Sequence, residues 1–306
     1  MILSCGESLI DMLPRTTGAD EDAFAPYPGG SVFNTAIALG RLGVPASFLS
    51  GISTDLFGEM LTKSLADSNV STDHAIQSDR PTTLAFVKLV DGQATYAFYD
   101  ENTAGRMLEP TDLPSLPDNI PAMFFGGISL VAEPCGSAYE ALLTREAPMR
   151  VTMIDPNIRP SFIADEAAYR DRIARMMALS DIVKLSDEDL HWLGGNGTIG
   201  DLARGILAKG SRLVCITEGA EGARAFTDMH EVFVPSHKVE VADTVGAGDT
   251  FNAGVLASLY QDGVLNKSAI AKLSEDHLYQ ALDLGVRAAA VTVSRAGANP
   301  PWAKEL

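Results

Sequence analysis

The chain has 306 residues, of which 46% are hydrophobic and 21% are charged. This length suits one large α/β domain or two modest ones, and the composition is not that of a disordered chain. The formal net charge is −17, which repels nucleic acid and anionic membranes and excludes both as partners. Any phosphate must then be bound locally, by backbone amides, a few cations and a metal ion.

The cysteines and the N-terminus indicate where the protein works. None of the three cysteines (Cys5, Cys135 and Cys215) stands in a C-x-x-C motif, and the first and last lie in apolar runs. This pattern predicts buried free thiols in a reducing cytoplasm. The N-terminus has no basic region, so we expect no signal peptide. The longest apolar run, at 122–132, falls short of the roughly 20 residues that span a bilayer.

Strand-like apolar runs alternate with helical patterns along the chain, which predicts βαβ units around a parallel sheet. We expect strands at 2–5, 9–13, 46–52, 84–90, 94–99, 151–154, 182–184 and 213–217, and helices at 31–43, after Asp55, and at 164–178, 248–260 and 277–291.

Two local signals refine this pattern. Ser31 and Asp55 precede helical runs and are predicted as their N-caps. Asp91-Gly92 separates two strand-like runs, which is typical of a β-hairpin. An antiparallel hairpin in a βαβ chain predicts a small appended sheet, and residues 84–100 together with 11–28 are expected to form a lid over a site.

The strongest chemical signal is the segment 243–252, with the sequence DTVGAGDTFN. Gly246, Ala247 and Gly248 open directly into a helix, whose unpaired N–H groups and dipole make an anion site. Asp249 lies in its first turn. One alternative is a carboxylate favoured there only by the dipole. The other is a base that accepts a hydroxyl proton while the amides hold a transferred phosphoryl group.

A second signal is Gly29-Gly30, which precedes a helix with Asn34 on its first turn. The Asn34 amide both donates and accepts, which suits a vicinal diol, although an ordinary loop-to-helix junction is an equal alternative. G-x-x-x-x-G-K-[ST], H-E-x-x-H and G-x-S-x-G are absent from the sequence, and no G-x-G-x-x-G follows the first strand. This disfavours a P-loop enzyme and weakens the alternative of a nicotinamide-dependent oxidoreductase.

These two segments and their spacing resemble the two signatures of the PfkB carbohydrate kinases, the ribokinase-like family, and the resemblance extends over essentially the whole chain. It implies a single domain, 1–306, with a three-layer α/β/α sandwich, a mostly parallel sheet and a β lid often used for dimerisation. Asp249 would be the catalytic base, and the amides from Gly246 through Ala247 and Gly248 would be the anion hole. The sugar-binding positions would be Asp11, Gly29, Gly30 and Asn34.

The resemblance also implies sites for ATP and for cations. Thr217, Gly219 and Gly222 would lie along the nucleotide, and Lys184 could reach a phosphate. The family's N-x-x-E segment is represented by Ser186 and Asp189, so Mg²⁺ would be held through water. An activating monovalent cation such as K⁺ would lie near Asp243, Val245, Thr292, Arg295 and Gly297, although Pro301 stands where a serine ligand can occur.

The identity of the sugar is indicated by two further segments, which resemble segments of the fructokinases and the 2-keto-3-deoxygluconate kinases. Arg159, in DPNIR, could contact the sugar or the phosphoryl group, and Phe98 could form an apolar wall. Asp100 stands where the keto-acid kinases commonly have an arginine, and a carboxylate there would repel an acid substrate. A neutral hexose, first of all fructose, is therefore expected. The alternatives are a sugar-acid kinase and a catalytically silent sugar-binding protein.

Overall fold

The computed structural model describes residues 1–90 and 93–306, without the side chains of 88–90 and 93–96. The predicted turn at Asp91-Gly92 lies outside the described part. The strands are β1 (Ile2–Cys5), β2 (Leu9–Thr16), β3 (Asp22–Gly29), β4 (Ala46–Leu49), β5 (Gly51–Ser53), β6 (Val70–Ser71), β7 (Ile76–Ser78), β8 (Leu84–Val90), β9 (Gln93–Tyr99), β10 (Ala122–Gly126), β11 (Val151–Asp155), β12 (Ile182–Ser186), β13 (Leu213–Thr217), β14 (Gly222–Phe226) and β15 (Glu231–Pro235).

Eight α-helices connect the described strands, and five short 3₁₀ turns accompany them. The helices are α1 (Ser31–Arg41), α2 (Leu56–Asp67), α3 (Cys135–Glu146), α4 (Glu166–Leu179), α5 (Asp187–Gly194), α6 (Ile199–Leu207), α7 (Ala247–Gln261) and α8 (Glu275–Val293), and the 3₁₀ turns are Pro110–Asp112, Ile128–Leu130, Pro160–Phe162, Ile270–Lys272 and Ala303–Glu305.

The main sheet has the order β15-β14-β13-β12-β11-β10-β1-β4-β6. From β13 to β6 the neighbours pair in parallel, and β13, β14 and β15 pair antiparallel. Its central strands are continuous apolar runs, because helices cover both faces. One core cluster packs α1, α2, α7 and α8 against one face, and a second packs α3, α4, α5 and α6 against the other. The predicted three-layer sandwich is confirmed.

A separate four-stranded sheet, the lid, has the order β3-β2-β8-β9. β2 pairs antiparallel with β3 and parallel with β8, and β8 pairs antiparallel with β9. The lid therefore joins the two predicted segments into one sheet. Successive residues of each strand lie on opposite faces of the lid, because side chains alternate with a period of two.

The predicted strand at 46–52 is wrong as a single element. β4 belongs to the main sheet, whereas β5 pairs with β7 in a sheet of its own. The chain leaves the main sheet at Ser50, because Gly51 packs directly on the backbone of Ala104 and has no space for a Cβ. Residues 46–52 are thus apolar because β4 and β5 are both buried, each in a different sheet.

The predicted N-cap at Ser31 is also wrong. Gly30, with φ of 108°, is the N-cap residue, and Ser31 begins α1. The cap is supplied instead by Glu7, whose Oε1 accepts hydrogen bonds from the Ser31 N–H and Oγ at 2.8 Å each. The predicted cap at Asp55 is confirmed, since its Oδ1 accepts from Gly58 N at 2.8 Å.

One further prediction concerns the burial of the cysteines. Cys5, Cys135 and Cys215 are buried and free, as expected. The alanine-rich helix α8 lies close against α7, where Gly254 and Gly285 approach so closely that neither has room for a side chain. In the described part of the chain, no helix combines the length and the hydrophobicity needed to cross a bilayer.

Candidate active site

The carboxyl ends of the parallel strands meet at one edge of the main sheet, where open α/β sheets bind their ligands. Asp155 ends β11, Ser186 ends β12 and Thr217 ends β13. The N-terminal part of helix α7 lies in the same region, as the hydrogen bond between the side chains of Asn252 and Asp155 shows. The residues predicted from distant segments are therefore gathered at this edge.

Asp249 lies in the first turn of α7, which begins after Gly246 in the left-handed conformation at φ of 80°. Its side chain is buried, and its Oδ2 accepts a hydrogen bond from Asn34 Nδ2 at 2.9 Å. The backbone carbonyl of Asp249 accepts from Thr35 Oγ1 at 3.1 Å, so α1 holds this turn twice. Burial raises the pKa of Asp249 to about 7, since a charged carboxylate is poorly solvated there.

The predicted sugar-binding residues lie at the start of α1 and at the base of the lid. Gly29 lies against the Asp11 carboxylate and leaves no space for a Cβ. Among the described residues, Asp11 has no hydrogen-bond or ion-pair partner, and burial raises its pKa to about 6. A carboxylate without a partner at the base of the lid is suited to accept hydrogen bonds from hydroxyl groups. The Asn34 amide donates to Asp249 rather than standing free.

Lys184 and Asp155 form a buried ion pair at the carboxyl ends of β11 and β12, with Lys184 Nζ 2.9 Å from Asp155 Oδ2. The same oxygen accepts a hydrogen bond from Asn252 Nδ2 at 2.7 Å. A Cβ built on Gly248 would lie 3.1 Å from Lys184 Nζ. The ammonium group therefore adjoins the N-terminal turn of α7, where an anion would bind.

Ser186 and Asp189 stand where the N-x-x-E segment is expected. The Ser186 Oγ caps α5 by accepting a hydrogen bond from Asp189 N at 3.0 Å. Asp189 is buried, and its pKa is raised to about 6, first by burial and then by the charge of Asp155. The Ser186 hydroxyl is thus engaged by the helix, and the Asp189 carboxylate lies close enough to Asp155 and Lys184 to interact with their charges.

The fit to Mg²⁺ follows from the donor set. Within residues 1–90 and 93–306, no group of three or more His, Cys, Asp or Glu could hold a metal ion. Mg²⁺ usually keeps several waters and takes one or two carboxylates plus substrate phosphates. Asp189 suits such a Mg²⁺ that arrives with a nucleotide, whereas a metal cage made of protein ligands alone does not fit.

The loop after β13, where the nucleotide is predicted to bind, forms a tight turn. Thr217 ends the strand, and Gly219 and Gly222 adopt φ of 55° and 135°. The turn closes through a hydrogen bond from Glu218 N to Gly222 O at 2.8 Å. Both glycines adopt left-handed or otherwise disfavoured conformations that glycine tolerates at low cost, so the backbone can follow a bound ligand closely.

The positions predicted for a monovalent cation come together only in part. Asp243 accepts hydrogen bonds from Val245 N at 3.0 Å and from Gly297 N at 2.9 Å. The hydroxyl of buried Thr292 donates to Thr250 Oγ1 at 3.0 Å, and Arg295 turns to an ion pair with Glu305 at 2.7 Å. Backbone carbonyls of this region remain the candidate ligands.

Phe98 and Asp100 lie at the end of the lid strand β9. The Phe98 ring contacts Phe162 at a centroid distance of 4.6 Å, beside a cavity of about 500 Å³. Asp100 Oδ1 lies 2.9 Å from Arg106 Nη1, so this carboxylate is paired. Its expected repulsion of an acid substrate is therefore weakened. Arg159 is exposed on the loop after β11 and donates to Ile158 O.

Three residues of this region are absent from the sequence-based predictions. Glu7 caps α1, and its Oε2 also accepts a hydrogen bond from Ser129 N at 3.2 Å. Asp155 and Asn252 form the network that holds Lys184 in place. Asp155 belongs to the segment DPNIR and Asn252 to DTVGAGDTFN. These motifs were the signal that could have identified the two residues.

The model of the pfkB family carbohydrate kinases matches residues 1–305. The chain therefore belongs to the pfkB family of carbohydrate kinases, and its sandwich with a small lid sheet is the ribokinase-like fold.

Individual relatives include several fructokinases. The chain is 58% identical over 278 residues to a fructokinase from Rhizobium leguminosarum bv. trifolii, covering 91% of this chain and 85% of that protein. It is 34% identical to a probable chloroplastic fructokinase, fructokinase-6, of Arabidopsis thaliana, covering 98% and 79%. A crystal structure of Xylella fastidiosa fructokinase with bound ATP superposes with a TM-score of 0.89 at 26% identity, covering 97% and 93%.

Proposed function

We propose that this protein is an ATP-dependent fructokinase, which transfers the γ-phosphoryl group of ATP to the hydroxyl on carbon 6 of fructose. The observation that carries the proposal is the buried Asp249 at the N-terminal turn of α7, with a pKa raised to about 7. The 58% identity to a fructokinase supports the choice of sugar.

The reaction requires one proton transfer and one phosphoryl transfer. The sugar oxygen bonds to the γ-phosphorus, the bond from that phosphorus to the bridging oxygen breaks, and ADP leaves. Asp249 accepts the hydroxyl proton, which a carboxylate with a pKa near 7 does more readily than an ordinary aspartate. The amides of Gly246, Ala247 and Gly248 hold the charge of the transferred group.

The acceptor side is assigned to α1 and the lid. Asp11 accepts hydrogen bonds from sugar hydroxyls, and Gly29 and Gly30 let the sugar approach the backbone. The Asn34 amide carbonyl contacts the sugar while its N–H group orients Asp249. Phe98 and Arg159 close the site from the lid and from the loop after β11. Closure excludes water, which limits wasteful ATP hydrolysis.

The nucleotide side is assigned to the ends of β12 and β13. Thr217, Gly219 and Gly222 lie along ATP, and the Lys184 ammonium contacts its phosphates, with Ser186 alongside. Mg²⁺ bound to ATP neutralises charge on the phosphates, and Asp189 would hold it through water. The backbone around Asp243 is the candidate site for K⁺.

Three further features complete the proposal. The whole chain, 1–306, acts as one kinase domain, because its two core clusters share one continuous sheet. The lid exposes Phe24, Tyr27 and Tyr99, which supports a homodimer formed through the lid. The three free thiols support a cytoplasmic location.

A second candidate is a 2-keto-3-deoxygluconate kinase. The observation that favours it is Arg106, which lies 2.9 Å from Asp100 at the end of the lid strand and offers a cation near the sugar. A substrate carboxylate could compete with Asp100 for this guanidinium group.

The test is ADP release from Mg-ATP with fructose, 2-keto-3-deoxygluconate, ribose, adenosine and fructose 6-phosphate, each with and without K⁺. We expect a strong preference for fructose. A preference for the keto acid would keep the base but change the substrate. Sugar binding without ADP release from any acceptor would instead support a catalytically silent binding protein.

A further inference from the structure

Asp155 is a buried carboxylate that connects three elements of the active site. It is 3% exposed and ends β11. Its Oδ2 accepts hydrogen bonds from Lys184 on β12 and Asn252 on α7, and its Oδ1 accepts from Asn157 N at 3.1 Å. One side chain thus ties two strands of the sheet to the helix that carries Asp249.

Lys184 depends on this carboxylate for its charge and its position. Lys184 is 5% exposed, and a buried ammonium without a counter-charge loses its proton or destabilises the site. The ion pair keeps it protonated. Since its Nζ would lie 3.1 Å from a Cβ on Gly248, the pair also places the charge at the anion-binding turn of α7.

Asn252 is held by the same oxygen but is not satisfied. Its Oδ1 is buried and has no hydrogen-bond partner in the described structure. An unsatisfied buried oxygen is uncommon in a purely structural network. Together with the Lys184 ammonium, this unpaired oxygen indicates that a bound ligand supplies the missing polar partner.

We propose that Asp155 is a positioning residue, which holds the Lys184 ammonium at the N-terminal turn of α7 so that it meets the phosphoryl group in transfer. Asp155 itself does not touch the substrate. This inference rests on the proposed phosphoryl transfer and adds a residue that acts on it through Lys184.

Asp155 also acts on the base through its charge. The groups that act on Asp249 are Glu7 after β1, Asp155 on β11, Lys184 on β12 and the Asn34 amide on α1. The two carboxylates raise the pKa of Asp249, and the ammonium and the amide lower it, while burial is the largest cause. Replacing Asp155 therefore removes a carboxylate that raises the pKa of Asp249, but the Lys184 charge that lowers this pKa depends on the same carboxylate, so the two effects oppose each other.

The experiment compares Asp155→Asn with a matched control, Asp181→Asn. Asp181 is also buried and pairs with a lysine, Lys267. This pair lies at the amino end of β12, the strand that carries Lys184. For Asp155→Asn we expect kcat to fall by about 100-fold, whereas KM for fructose stays within about twofold, because Lys184 lies on the nucleotide side of the proposed site. For Asp181→Asn we expect a lower Tm and an unchanged kcat.

A double-mutant cycle separates positioning from folding. In a Lys184→Met background no unpaired charge is left when Asp155→Asn is added, so the double variant folds. If Asp155 acts through Lys184, adding Asp155→Asn there leaves kcat unchanged. An equal further loss of kcat in both backgrounds, or an Asp155→Asn variant whose loss lies in KM for fructose rather than in kcat, would overturn the proposal. Failure of the wild-type enzyme to phosphorylate fructose would instead refute the proposed function.

Discussion

Two Asp–Lys ion pairs lie at opposite ends of strand β12, and they differ in what surrounds them. At the carboxyl end, Lys184 lies 2.9 Å from Asp155, and their side chains are 6% and 3% exposed. At the amino end, Lys267 lies 2.8 Å from Asp181, and their side chains are 35% and 9% exposed. The second lysine remains partly in water, whereas the first is almost fully buried.

The two pairs also differ in how completely their polar groups are used. Asp181 binds Lys267 through both oxygens and accepts Thr152 N at 2.9 Å, so it ties β11 to β12. Around Asp155, the Asn252 Oδ1 has no partner in the described structure, and burial raises the pKa of Asp249 and Asp189. The pair at Asp181 stabilises the sheet, whereas the unpaired Asn252 oxygen beside Asp155 leaves a polar atom that a ligand could engage.

The largest effect is expected from Asp249→Asn, which removes the proposed base from the carboxyl edge. Turnover with fructose should fall by about 10³-fold, within the range for loss of a general base. Fructose affinity should stay within about twofold, because the amide oxygen of the substituted side chain still accepts the hydrogen bond from Asn34. ADP release and calorimetric fructose binding measure both quantities. Turnover close to that of the wild type would show that another group accepts the proton.

The next effect compares the two lysines directly. Lys184→Met should lower kcat/KM for ATP by about 10²-fold, because it removes a buried cation from the phosphate site. Lys267→Met should leave kcat/KM within about twofold, because the pair that it breaks lies at the other edge of the sheet. Steady-state kinetics at varied ATP distinguish the two. Equal losses in both variants would mean that the comparison reflects stability alone.

The sequence predicts the carboxyl edge well wherever the signal is local. Gly246, Gly248 and Asp249 lie within four consecutive positions, and a glycine-rich turn that opens a helix needs no distant partner. The alternation of buried strands and helices likewise predicts the main sheet, because a strand covered on both faces is apolar throughout.

Contacts between distant segments are the part that could not be predicted. Asp155 meets Lys184 across 29 positions and Asn252 across 97. Likewise, α1 is capped by Glu7, 24 positions before Ser31. A single sequence without an alignment does not show which distant residues contact each other, because side chains of the same types elsewhere are hydrogen-bonded to water instead. Arg106, which pairs with Asp100, was also missed, although only six positions separate the two residues.

A smaller effect is expected from pH on the wild-type enzyme. Asp249 accepts a proton only when ionised, and its pKa is raised to about 7. The kcat/KM for fructose should therefore rise about tenfold per pH unit below this value and level off above it. Assays between pH 5 and 9 with saturating Mg-ATP test this. A midpoint near the ordinary value of 3.8 would contradict the burial of the base.

The smallest effect concerns stability, where the two edges should respond with opposite signs. A carboxyl whose pKa is raised in the folded state binds protons more tightly there, so the folded state loses stability as pH rises from about 4 to 7. Asp249→Asn removes this loss and should raise Tm at pH 8 but not at pH 4. Asp181→Asn should lower Tm at pH 8, since it breaks a pair worth about 1–2 kcal/mol when one partner is partly exposed. Thermal unfolding at both pH values compares the variants, and a lower Tm for both at pH 8 would show that Asp249 stabilises the fold. The opposite signs would instead mean that the same fold keeps one carboxylate for stability and another, at a cost in stability, for chemistry.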